Sequence, residues 1–236
     1  MSFGKNLQYL RKLSGKMTQE ELASRLSVAR QTISKWELDE AYPEIVKLEE
    51  ICKMFNANAN DLLFGDMNLS SELYSDIKRV TLNSFRYIQY AVISTEPEND
   101  ANEKMRRLAY EMGINNPEVI GWDFPVLSQE QVNVYHMHGY VSALIISNEV
   151  KVDKKYKVMI KPKQRYVTLT ITDPFNQPFV VIPNAFKLLF QYMDTNQLSR
   201  SGRQHECGFE KVYKKNNTTY MEIYMSIDRL PSDVEN

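Results

Sequence analysis

Two stretches carry side chains whose types and spacing can do chemistry. The first holds Arg30, Gln31, Ser34 and Lys35, four polar side chains that a helix gathers on one face. Such donors, left exposed, can reach the base edges of a DNA major groove. The second is Tyr220, Glu222 and Tyr224, with Met221, Ile223, Met225 and Ile227 at the alternate positions. On a strand this pattern puts a carboxylate between two aromatic rings, opposite an apolar face. Aromatic faces and a carboxylate together suit an organic cation. His136 and His138 alternate along one strand face, and His205 and Cys207 form a His-x-Cys pair. Neither assembles the four ligands of a tetrahedral zinc site. No phosphate-cradling P-loop and no Gly-x-Ser-x-Gly elbow occurs. No metal, cofactor or catalytic residue is therefore expected.

The first group needs a helix held on a support. Thr18 and Glu21 form a Thr-x-x-Glu capping box, the signature of a helix start. Leu22, Ala23 and Leu26 then share one face, and Ile33 and Trp36 share a face of the following segment. Met17 to Glu37 thus reads as two short helices joined by a tight turn, with the polar group pointing outward from the second. Phe3 to Leu13 precedes them as a helix. Pro43 opens a fourth, with Ile45, Leu48, Ile51, Cys52 and Phe55 inward, and Asn60 caps a short last helix that Gly65 ends.

Residues Phe3 to Asp66 resemble the lambda-repressor/Cro-like (XRE) helix-turn-helix family. The resemblance implies a phosphate contact for Gln19 and base or phosphate contacts for Arg30, Gln31 and Lys35; Ser34 joins them as a DNA-facing donor by its place on the same outward face. It also implies a salt bridge from Arg11 to Glu37. Three departures stand out. Ser27 occupies a turn position that favours positive φ and is usually Gly. Ala29 stands where a capping Ser or Thr is common. One extra residue, near Lys16, precedes the motif.

The chain of 236 residues carries a net charge of −1 and is 43% hydrophobic, which suits one or two globular domains. The charge is uneven. Residues 1–35 hold seven Lys/Arg against two Glu, and residues 36–66 hold two Lys against eight acids. The positive side of such a domain can face phosphates. No run is long and apolar enough to span a membrane, and the N-terminus lacks a secretory signal. With Cys52 and Cys207 alone, reduced thiols and a cytoplasmic location are expected.

Beyond Asp66 the pattern changes. Residues 67–79 read as a linker or connector, either a mobile tether or a helix marked by Leu73, Ile77 and Val80. Residues 80–228 read as a duplicated β-α-β-β unit, and 229–236 as a polar tail. The first copy has strands at Tyr87–Ser94, Val119–Phe124 and Val132–Ile146, with a helix at Asp100–Met112. The second has strands at Tyr166–Thr172, Gly208–Tyr213 and Tyr220–Ile227, with a helix at Pro183–Asp194. Tyr166, Thr168 and Thr170 share a polar face, and Tyr87 and Gln89 take the matching face in the first copy. Curved sheets would turn these faces into a cleft with aromatic walls and few polar groups, as small-molecule sites are built.

This half resembles the GyrI-like (SHS2-type) ligand-binding domain. Ile120-Gly121-Trp122-Asp123-Phe124-Pro125, Phe209-Glu210-Lys211-Val212-Tyr213 and Met221-Glu222-Ile223-Tyr224-Met225 carry the resemblance. Ser226 departs from it, since the family tends to have Pro there. The expected whole is α+β with two domains: a five-helix lambda-repressor-like bundle at 1–66 and the duplicated domain. The resemblance implies a ligand-responsive transcription regulator, not an enzyme, binding operator DNA as a homodimer without a membrane partner. Its effector would be a small aromatic or cationic molecule held by Tyr87, Trp122, Tyr166, Glu222 and Tyr224. Two alternatives stay open: hydrolysis of a reactive small molecule by Glu222 and Tyr224, and a protein-interaction module without ligand.

Overall fold

The structure is a computed structural model and describes residues 2–15, 17–65, 67, 73–124, 127–199 and 208–227. The His205-x-Cys207 pair and the tail lie outside them. By backbone contacts the chain forms two units. One comprises Met1–Tyr74 with Pro178–Ser199, the other Ser75–Gln177 with Arg200–Asn236. No described helix is long and apolar enough to cross a membrane.

The first unit opens with α1 (Phe3–Leu13), α2 (Gln19–Arg25), α3 (Arg30–Glu37), α4 (Ile45–Phe55) and α5 (Ala59–Phe64). Phe3, Leu7, Leu10, Leu22, Leu26, Ile33, Trp36, Ile51, Phe55 and Leu62 form its core. Gly4 lets α1 lie against the end of α3, because a Cβ there would meet the carbonyl oxygen of Trp36 at 2.4 Å. Asn6 is fully buried and works as a stitch. Its amide donates to the carbonyls of Leu62 and Gly65, and its oxygen accepts from Met67 N. Two expected starts move. Asn58, not Asn60, caps α5, and α4 begins after Glu44, so Pro43 precedes the helix.

Ser27 has φ +54°, so a non-glycine residue does sit in the left-handed region at the turn. Ala29 is the N-cap of α3 and gives it no side-chain hydrogen bond. Ala29→Ser is therefore expected to raise stability by about 1 kcal/mol, read as a higher denaturant midpoint. An unchanged midpoint would mean that the amides of the first turn of α3 are already satisfied.

The helix expected at Pro183–Asp194 is longer: α8 spans Pro178–Thr195 with Pro183 inside. It groups with the first unit rather than with the strands beside it in sequence. Hydrogen bonds mark the join. Tyr74 Oη donates to Val181 O (2.9 Å), Thr195 Oγ1 to Phe55 O (3.4 Å) and Asn196 Nδ2 to Leu13 O (3.3 Å). Composition explains why α8 has surface to offer there. It carries one Lys and one Asp, whereas α6 (Pro97–Glu111) carries seven charged residues. A helix so poor in charge is apolar on more than one face.

The second unit is an eight-stranded sheet, every pairing antiparallel. Its strands are β1 (Lys78–Leu82), β2 (Phe85–Ser94), β3 (Val119–Asp123), β4 (His138–Ile146), β5 (Met159–Lys161), β6 (Gln164–Thr172), β7 (Gly208–Lys215) and β8 (Thr218–Ile227). Their order is β1-β6-β8-β7-β3-β4-β2-β5. The two halves of this order mirror one another, as a duplication demands. The copies meet where Gly121 of β3 pairs with Glu210 of β7. Both copies begin with an extra short strand that sequence reading missed. β1 pairs with β6 of the second copy and β5 with β2 of the first. Residues 78–82 are thus strand, where helical spacing had offered a connector helix. The strand expected from Val132 starts at His138, because Ser128 and Gln131 form a capping box for a short helix, α7 (Gln129–Asn133).

This topology forces the sheet to curl. β1 and β2 are six places apart, roughly 29 Å in a flat sheet at about 4.8 Å per strand. Only Asn83 and Ser84 separate them in the chain, and three Cα steps reach at most about 11 Å. β5 and β6 repeat the arrangement with two intervening residues. The strands must close into a deep half-barrel. α6 packs on one face, over Ile88, Leu144 and Ile146. The other face is concave.

Candidate functional site

The helix pair is held by a buried ion pair. Arg11 Nε donates to Glu37 Oε1 (2.6 Å) and a terminal guanidinium nitrogen to Glu37 Oε2 (2.9 Å), a fork geometry that fixes orientation. The third arm of Arg11 donates to Met17 O. Gln19 Nε2 adds a bond to Glu37 Oε2 (2.9 Å). One carboxylate at the end of α3 therefore ties α1, the start of α2 and α3 together. The capping box is complete: Glu21 N donates to Thr18 Oγ1, and Thr18 N donates to Glu21 Oε2. The backbone N–H of Thr18 holds the Glu21 carboxyl below its ordinary range. Arg30, Gln31 and Lys35 are exposed on α3, and Ser34 is half-buried. Gln19 is half-buried, with one amide hydrogen already committed to Glu37.

The concave face of the sheet brings the second set together. Registers place Tyr87, Trp122, Tyr166, Glu222 and Tyr224 on this one face. The rings form an unbroken chain. Trp122 meets Tyr87 edge-on at 6.4 Å, and Tyr87 meets Phe85 at 6.1 Å. Phe85 meets Phe209 at 6.5 Å, and Phe209 stacks on Tyr224 at 4.6 Å. Tyr166 stands edge-on to both Phe209 (5.4 Å) and Tyr224 (5.9 Å). The Phe85–Phe209 contact joins strands three places apart in the sheet, a second mark of the curl. Sequence reading missed Phe85 as a member of this wall and named Phe209 only within a motif. Phe209 was recoverable, since it alternates with Lys211 and Tyr213 on the face that pairs against Tyr224 and Glu222.

Glu222 sits between two phenols. Tyr213 Oη donates to Oε1 (3.1 Å) and Tyr224 Oη to Oε2 (2.7 Å). Burial and then the bonded carboxylate raise the Tyr224 phenol above its ordinary value, and the same two causes raise Tyr213. Both tyrosines are thus held as donors. Lys211 lies opposite Glu222 in register but bridges to Glu118. Among the described residues no Lys or Arg pairs with Glu222. At the other end of the ring chain, Lys161 Nζ already lies 5.9 Å from the centre of the Trp122 ring. The sequence-predicted residues therefore share a face but differ in charge environment, negative at Glu222 and positive at Trp122.

The convex face holds a carboxyl that the sequence reading did not single out. Glu210 accepts a hydrogen bond from Tyr140 Oη (2.7 Å). Burial pushes this carboxyl up to about 7, opposed by the Tyr140 bond and reinforced by Glu98 and Asp123. Burial raises Glu98 and Asp123 too. Gly121 makes the arrangement possible, because a Cβ there would lie 1.9 Å from the Tyr140 hydroxyl.

Comparison with known proteins bears mainly on the N-terminal part. Residues 7–62 match the helix-turn-helix family model, so this segment is an XRE-type helix-turn-helix. Over 84 residues the chain is 39% identical to the HTH-type transcriptional activator BcrR of Enterococcus faecalis. That match covers 34% of this chain and 40% of the relative, so the chain spans less than half of that protein's length. Among solved structures, an EcmrR–DNA complex aligns with 96% of this chain and 95% of its own at TM-score 0.49 and 14% identity. The C-terminal domain of EcmrR aligns with 67% of this chain and 99% of its own, at 0.48 and 11%. SAV2435 bound to tetraphenylphosphonium aligns with 69% and 98%, at 0.41 and 13%.

Proposed function

We propose that this chain is a ligand-responsive transcription regulator that reads operator DNA, as a homodimer, through α2 and α3, and binds an aromatic organic cation on the concave face of its sheet. The observation that carries the ligand half is Glu222. Its negative charge is satisfied by neutral phenols and, among the described residues, by no protein cation, beside a wall of aromatic rings. A carboxylate so placed attracts an organic cation more strongly than one in open water, because screening falls with burial. The cation belongs at the Glu222 end, since Lys161 already stands by Trp122. Titration calorimetry with N-methyl-4-benzylpyridinium and the neutral 4-benzylpyridine at pH 8 tests this. Wild type should prefer the cation, and Glu222→Gln should lose that preference. Equal discrimination by both proteins would rule Glu222 out as the charge reader.

For the DNA half, Arg30, Gln31 and Lys35 supply exposed donors on a helix that the Arg11–Glu37 pair orients. Gln31→Ala should weaken operator binding by about 1–3 kcal/mol if its amide pairs with a base edge. Gln19, steadied by Glu37, would contact a phosphate, so Gln19→Ala should weaken operator and random DNA alike. If Gln31→Ala also affects both DNAs by the same factor, base reading lies elsewhere. Coupling between the halves would be a shift of populations, requiring different ligand affinity for the DNA-competent and incompetent arrangements.

One observation favours a second reading. The 2.7 Å bond from Tyr224 to Glu222 is the pairing that a hydrolase of reactive small molecules would use. Burial first and this bond second hold the phenol protonated, as a donor and not a nucleophile. Mass spectrometry of candidate compounds incubated with the purified chain would reveal turnover if that reading holds.

A further inference from the structure

Tyr166 is fully buried, and its hydroxyl has no hydrogen-bond partner among the described residues. This is unusual, since buried polar groups are almost always paired. Two nearby tyrosines are satisfied: Tyr213 and Tyr224 both donate to Glu222. Tyr166 stands edge-on to Tyr224 and Phe209, so its hydroxyl belongs to the same aromatic wall. Burial pushes its phenol up to about 12, so it remains an O–H donor at any physiological pH. Its strand neighbours on this face do not relieve it. Thr168 stands two residues along, and Ser226 opposite in register, yet neither is bonded to the hydroxyl.

We infer that Tyr166 donates a hydrogen bond to the ligand, and that the ligand is an aromatic cation which also carries a neutral acceptor oxygen, a carbonyl or an ether. This rests on the ligand-binding reading above and adds a requirement to it. The charge is read by Glu222 and the oxygen by Tyr166, both on the concave face of the sheet. A site built to hydrogen-bond a ligand group rejects the analogue lacking it, because its own buried polar group is then left unpaired. Among the described residues the free protein offers that group no partner.

The test uses the full chain, Tyr166→Phe, and two cations with the same charge and the same pair of rings. N-methyl-4-benzoylpyridinium carries a ketone where N-methyl-4-benzylpyridinium carries a methylene. Calorimetry should show wild type binding the ketone about tenfold more tightly. Tyr166→Phe should bind both with equal affinity, close to that of wild type for the methylene compound. Unliganded Tyr166→Phe should also melt higher than wild type, because it lacks the orphan hydroxyl. A lower melting midpoint would mean that the hydroxyl has a partner in the free protein, and would overturn the inference. So would a wild type without ketone preference, or a preference that survives in Tyr166→Phe; in those cases cation binding sensitive to Glu222→Gln would leave the parent reading standing. Failure of wild type to bind either compound would overturn both.

Discussion

Glu37→Ala is expected to destabilise the helical unit by about 3–5 kcal/mol, the usual result of leaving one member of a buried ion pair without its partner. The side chain of Glu37 is 1% exposed and that of Arg11 10%, so neither charge has water to fall back on. The loss is larger than that of one contact because Glu37 accepts from Gln19 as well as from Arg11. Denaturation followed by the fluorescence of Trp36, buried in this unit's core, measures it in a Trp122→Phe background. A loss below about 1 kcal/mol would show that Arg11 finds solvent or another acceptor. Glu37→Gln should cost less, since its amide oxygen still accepts from Arg11 while the charge is gone.

The second large effect depends on pH. Glu210 has its folded pKa raised from an ordinary 4.5 to about 7. The folded state therefore holds this proton more tightly than the unfolded chain does. Its contribution to stability is complete below pH 4.5 and is lost as the pH rises through about 7. The slope in that window is about 1.4 kcal/mol per pH unit, and the whole loss on the order of 3 kcal/mol. Denaturant midpoints at pH 5 and pH 8 should thus differ for wild type, with the protein weaker at pH 8. Glu210→Gln should remove most of that difference and leave the variant more stable than wild type at pH 8. Glu98 and Asp123 are raised in the same direction, so a smaller slope of the same sign should remain. An undiminished slope in Glu210→Gln would move the titration to those two residues.

What was legible in the sequence is what is encoded locally. The capping box at Thr18 and Glu21 and the stripes Leu22–Leu26 and Ile33–Trp36 fix α2 and α3 without reference to the rest of the chain. Strict alternation in β6 and β8 put Tyr166, Glu222 and Tyr224 on a common face, and the registers place them there. The missed features depend on partners far away in sequence. β1 and β5 have five and three residues, too few for alternation to show, and each is a strand only because the other copy's first strand lies beside it. Glu210 reaches Gly121 and Tyr140 only through the pairing of β7 with β3, strands far apart in the chain, and no spacing rule brings the three together. Asn6 looks like an ordinary polar residue on an amphipathic helix; its role appears only when the carbonyls of Leu62 and Gly65 and the amide of Met67 are set around it. The placement of α8 left a readable trace, since its two charges contrast with seven in α6.

That helix also sets the order in which the molecule can be completed during synthesis. An N-terminal domain ordinarily folds as a unit soon after it leaves the ribosome. Here the unit that carries the helix-turn-helix includes α8, whose last residue follows Tyr74 by about 120 positions. At about 5–20 residues per second, translating that interval takes on the order of ten seconds. Until then α1 and α4 lack the helix that packs beside them, and all of β1 to β6 has been made before α8 emerges. The chain finishes its helical unit only after most of its sheet exists, and a nascent chain stopped short of residue 178 carries α2 and α3 without the last element of their own unit.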